Sequence, residues 1–214
     1  MQYSTVLSGG LLALACLAGA VVIGKARKGY GEADQPALFC ALLGFLLAAA
    51  AAAASVGDPG WQAAHLWLSQ ASSFLGLPLL GVAALTLGRG WAWSRPNWGR
   101  VVLGLCAFFE LFRQMNLLED YRLALSLATL LLILYAGAVQ WPRRTPAGAA
   151  TVVAGLFLLA TLAVGSDGFI GPLRRIDLLH AVLTPAYPLL AWLLLSLPGH
   201  AEDCANRENP VKTL

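Results

Sequence analysis

The chain has 214 residues, of which 58% are hydrophobic and only 12% charged, with a net charge of +3 and a mean hydropathy of +0.70. A soluble domain carries about a quarter charged residues, so this composition excludes an ordinary water-soluble fold. The basic residues sit at the ends of apolar runs rather than in one patch, which argues against nucleic acid as a partner.

The apolar runs are near the ~20 residues that cross the hydrocarbon core as a helix. None shows the polar–apolar alternation of barrel strands about ten residues long. The sequence therefore predicts an all-α polytopic membrane bundle of seven transmembrane helices. Span one runs from Thr5 to Gly24 and stops at Lys25, Arg27 and Lys28. No basic residue precedes it, so it reads as a retained span and not a secretory signal. Span two starts near Pro36, a favourable first-turn residue, and continues to Ser55, with Ala48–Ala54 as a close-packing surface. After the turn Asp58-Pro59-Gly60, span three covers Ala64 to Leu87 and contains Pro78, which predicts a kink.

A basic loop from Arg89 to Arg100 follows, with Trp91, Trp93 and Trp98. Span four is Val101 to Leu118, span five Tyr121 to Val139, and Trp141-Pro142-Arg143-Arg144 is a second basic loop. Span six is Ala147 to Val164. Gly165 to Pro172 is a turn-rich connection, and span seven is Ile176 to Leu197. These spans make one domain, residues 1–197, followed by a polar tail at 198–214. Cys16, Cys40 and Cys106 lie within runs and Cys204 in the tail, with no C-x-x-C pair, so no disulfide framework is expected.

Orientation follows from the basic residues. One side holds Lys25, Arg27, Lys28, Arg89, Arg95, Arg100, Arg143, Arg144, Arg207 and Lys212; the other holds Arg113, Arg122, Arg174 and Arg175. The richer side is predicted to be cytoplasmic, with the N-terminus outside and the C-terminus inside. Trp91, Trp93, Trp98, Trp141 and Trp192 fall at that inner boundary, as an aromatic belt does.

Ionisable groups inside a bilayer are costly and are therefore functional candidates. This topology puts His65, Ser69, Glu110, Arg113, Asp177 and His180 at one depth, near the outer face. Asp177 and His180 are three apart, as are Glu110 and Arg113, while His65 and Ser69 are four apart, so each pair shares a helix face. Three readings stay open. In the structural one, Glu110 neutralises Arg113, Asp177 pairs with Arg174 or Arg113, and the histidines satisfy interfacial hydrogen bonds. In the second, His65, Asp177 and His180, with Glu110 as a further candidate, hold zinc, whose bound water becomes the nucleophile, with a nearby carboxylate as general base and Ser69 or Ser73 orienting substrate. In the third, His65 and His180 are axial ligands of a haem.

Two resemblances bear on these readings. Asp177-Leu178-Leu179-His180 resembles the last-helix N-D-x-x-H element of uncharacterised bacterial seven-helix membrane proteins, with Ile176 where the Asn stands. The seven-span, N-outside layout with intramembrane His, Asp and Ser resembles the CREST superfamily, which includes alkaline ceramidases and progestin/adipoQ-type receptors. That likeness implies a zinc-dependent hydrolase acting on a lipid amide or ester. The chain departs from it where His180 is followed four residues on by Thr184, and where His65-x-x-x-Ser69 reverses the Ser-x-x-x-His order.

The reading favoured is a multi-pass protein of a bacterial inner membrane, acting as a binding component or assembly subunit. Its expected partners are the lipid bilayer and a membrane protein or a second copy of itself. The alternative is the zinc-dependent hydrolase.

Overall fold

The computed structural model describes residues 2–56, 59–140, 144–164, 169–170 and 173–197. The turn around Asp58, the loop at Trp141–Arg143, most of Gly165–Pro172 and the tail fall outside the described residues. What is described is almost wholly helical: α1 (Gln2–Ala26), α2 (Gln35–Ala54), α3 (Gln62–Ala71), α4 (Leu77–Arg89), α5 (Arg95–Gln114), α6 (Leu118–Val139), α7 (Arg144–Leu158) and α8 (Arg175–Ser196). A two-residue antiparallel ladder pairs Phe169 with Arg174 and Ile170 with Leu173, just before α8.

α3 and α4 belong to one rod, Gln62–Arg89, joined through a π-helical turn at Ser72–Gly76. This turn lies directly upstream of Pro78, where a proline lacks its N–H and its ring crowds the carbonyl four residues back. The widened turn relieves that crowding, so the break expected at Pro78 takes the form of a π-turn one step earlier. A second π-turn, Leu159–Val164, continues α7. Counted this way, the described residues form seven helical rods, one for each apolar run. Five are long and apolar enough to cross a membrane: Ser4–Gly29, Gln35–Ala54, Gln62–Arg89, Leu118–Val139 and Arg175–Ser196. The α7 rod is a shorter apolar helix, and α5 is interrupted by Arg100, Glu110 and Arg113.

Two helix ends show how the chain turns. Gly90, with φ 62°, ends α4; its N–H bonds the Leu87 carbonyl while Trp91 N–H bonds that of Thr86. Asn116, with φ 56°, does the same after α5, with bonds to Arg113 and, from Leu117, to Phe112. Both are Schellman stops, which need a residue tolerant of left-handed backbone.

Packing follows small residues. α1 lies against α2 and α8, α2 against the α3–α4 rod, α4 against α6, α6 against α7, and α7 against α8, which closes a ring. Ala48, Ala49 and Ala52 of the alanine tract are buried, as a close-packing surface requires. At Gly44 a Cβ would stand 2.7 Å from the Gly76 carbonyl oxygen, so glycine is what lets α2 approach the π-turn. α5 rides outside the ring, touching the π-turn, α6 and α2, and Trp98 alone of its residues is fully buried. Leu7, Leu14, Leu103, Leu131 and Val152 project outward, an apolar girdle suited to lipid. Cys16 and Cys40 are buried in the ring, while Cys106 is exposed on α5.

Candidate functional site at one end of the bundle

The ends that meet are the start of α1, the end of α2, the start of α3 and the start of α8. Gly9 on α1 abuts Ser55 after α2, and the His65 Nδ1 on α3 lies 3.3 Å from the Ala51 carbonyl oxygen on α2. At the same end α8 brings Asp177 and His180 in its first turns, both buried at 8% and 6% exposure. Helical spacing puts these two side chains on one face, and that face meets α1.

What α1 supplies is a pair of hydroxyls. Ser4 donates a 2.8 Å bond to Asp177 Oδ2, and Ser8 donates a 3.0 Å bond to Asp177 Oδ1. Ser8 Oγ also lies 3.3 Å from His180 Nδ1. A serine hydroxyl has one proton to give, and here the carboxylate is its better acceptor. His180 Nδ1 must then carry its own proton and donate to Ser8 Oγ, a tautomer assigned from the network. The chain Nδ1–H···Oγ–H···Oδ1 links imidazole to carboxylate through one hydroxyl. Buried charge needs such partners: an unpaired carboxylate at membrane depth is unfavourable by several kcal/mol. Thr184 Oγ1 returns its proton to the His180 carbonyl at 2.7 Å, a local bond within α8.

The other predicted site residues are used differently. His65 is half-buried and held on the Ala51 carbonyl. Ser69 bonds the Leu66 carbonyl in its own helix at 2.9 Å. Glu110 takes a bidentate grip from Arg113, at 2.7 and 2.8 Å, with Gln114 at 3.0 Å, all on the outward face of α5. Arg113 is thus committed to Glu110 and not to Asp177, and the Arg174 side chain lies outside those described. Between α5 and the ring stands an aromatic ladder. Phe112 stacks on Tyr121 at 4.5 Å, Tyr121 on Phe74 at 5.7 Å, and Phe74 tilts against Phe109 at 5.0 Å.

The proposed polar residues therefore share one end of the bundle, but they do not converge on one point. Among the described residues no group of three or more His, Cys, Asp or Glu side chains is gathered as a metal ion needs. Asp177 has both oxygens engaged by serines, and the Nδ1 atoms of His65 and His180 each face an oxygen. Ser4 and Ser8 were not expected at this site. They carry one legible signal: four apart at the start of span one, they lie at the depth the topology gives Asp177 and His180. What no periodicity reveals is that α1 is the neighbour of α8.

Comparison with protein-family models, curated proteins and solved structures finds no match. The class rests on the fold: a helical protein whose several long apolar helices are compatible with a multi-pass membrane protein.

Proposed function

We propose that this chain is a seven-span protein of a bacterial inner membrane, N-terminus outside, that serves as a binding component or assembly subunit through its outer polar end. The observation that carries this reading is the Ser4–Asp177–Ser8–His180 cluster. A carboxylate and an imidazole are kept inside an apolar bundle by two hydroxyls from another helix, with Ser4 exposed at its edge. Such a cluster offers a hydrogen-bonding ligand or a partner helix a polar foothold at the membrane surface. The exposed apolar girdle and the two short basic loops support the membrane placement and its orientation.

The test is affinity purification in mild detergent, wild type beside Asp177→Asn and Ser8→Ala. A stoichiometric partner or a self-associated species that weakens in both variants supports the role. A wild-type protein that runs as a clean monomer with nothing bound counts against it. Topology is read separately from Cys204 in a Cys16→Ser, Cys40→Ala, Cys106→Ser background. The tail thiol should react with an impermeant maleimide only in inverted vesicles.

A further inference from the structure

We infer that the turn between α4 and α5 is a binding site for an anionic phospholipid headgroup, formed by Arg89, Arg95, Arg100 and Trp91. The inference rests on the reading that the chain spans a membrane, but not on the outer polar cluster or on any partner it binds.

Arg89, Arg95 and Arg100 are all exposed at the end of the bundle opposite Asp177. No Asp or Glu occurs between Asp58 and Glu110. The ion pairs among the described residues join Arg113 to Glu110 and Arg122 to Glu119, so none reaches this turn. Among the described residues, the contacts that these arginines make leave their charge uncompensated. Arg89 hydrogen-bonds the Tyr135 hydroxyl and lies over the Tyr135 ring at 5.0 Å and the Trp91 ring at 5.9 Å. Among the described residues, Arg100 donates to the Asn97 side-chain Oδ1 at 3.4 Å. The carboxylates of the α1–α2 connection, Glu32 and Asp34, follow Lys25, Arg27 and Lys28 in the sequence, and Asp34 is buried.

The turn is also packed by its indoles and amphipathic. Trp98 is buried, Trp93 packs on Trp98 at 5.7 Å and against the core, and Trp91 stacks on Trp93 at 6.4 Å while remaining 45% exposed. The indoles thus form a staircase from core to surface, with arginines on either side of its top step. A tryptophan half in apolar surroundings suits the headgroup level of a bilayer. Guanidinium groups suit phosphate oxygens bidentately. Three uncompensated charges favour a lipid with net negative charge over a zwitterionic one, at about fivefold per arginine.

The test is native mass spectrometry of the full chain, delipidated in an uncharged detergent and titrated with phosphatidylglycerol or phosphatidylcholine. Wild type is expected to hold phosphatidylglycerol preferentially. Arg95→Gln/Arg100→Gln should lower that affinity about 25-fold and leave phosphatidylcholine uptake unchanged, with the far-ultraviolet circular dichroism melt intact. Lys25→Gln/Lys28→Gln removes the same charge from the α1 end and should change little. Equal uptake of the two lipids by wild type overturns the inference, and so does an equal loss in the lysine variant. Failure to remain with membranes after alkaline extraction would instead overturn the membrane reading beneath it.

Discussion

Two acid–base pairs in this molecule have the same spacing and opposite surroundings. Glu110 and Arg113 sit three apart on α5, and Asp177 and His180 three apart on α8. The first pair is self-sufficient: arginine satisfies glutamate within one helix, on the exposed side of a rod outside the ring. The second depends on another helix, because Asp177 is bonded by Ser4 and Ser8 and not directly by His180. Spacing makes two side chains neighbours; the face they turn to decides whether they form a site. The α5 pair has no partner helix on that face, and the α8 pair has α1.

The contrast can be tested first at the attachment of α5. Trp98→Ala removes its fully buried residue and should cost about 3–5 kcal/mol, seen as a lower thermal midpoint in micelles. If that midpoint hardly moves, α5 is held by the Phe74–Tyr121–Phe112 ladder alone. Next comes Asp177→Ala, which strips the Ser4 and Ser8 hydroxyls of their shared acceptor. A loss of about 1–3 kcal/mol is expected, the usual consequence of orphaned buried polar groups. Ser8→Ala should be milder, about 1 kcal/mol, but it alone uncouples His180 from Asp177. It should therefore shift the His180 imidazole resonances, whereas Ser4→Ala should not. Last, Glu110→Gln should leave the midpoint within error, since an exposed i,i+3 pair contributes little. A Glu110 variant as damaging as Asp177→Ala would abolish the contrast.

Much of the fold was legible because the hydrophobic effect and helix length speak in single-sequence terms. Each of the seven apolar runs became a rod, and the expected boundaries at Pro36, Leu87 and Leu118 fall near observed helix ends. The alanine tract packed as small residues do. Pro78 was expected to kink span three; the helix runs on through it with a π-turn just upstream, because the backbone can redistribute a missing hydrogen bond over the preceding turn. That these polar groups lie toward one end of the bundle was readable from their places along alternating spans. Which of them touch was not. His65 was a candidate zinc or haem ligand beside a reading in which it only satisfies hydrogen bonds; its Nδ1 meets a backbone carbonyl of α2, a partner that no side-chain pattern encodes. Ser4 and Ser8 looked unremarkable because hydroxyls are common near helix ends. Their use depends on helix adjacency, which periodicity does not carry.

The bond from Ser4 to Asp177 spans 173 positions of sequence and joins the first helix to the last. During synthesis at about 5–20 residues per second, α8 emerges roughly 10–35 s after α1. Over that interval the hydroxyl face of α1 has no carboxylate to meet, and the ring stands open between α1 and α7. The seam that seals the finished bundle can thus form only after α8 has been made.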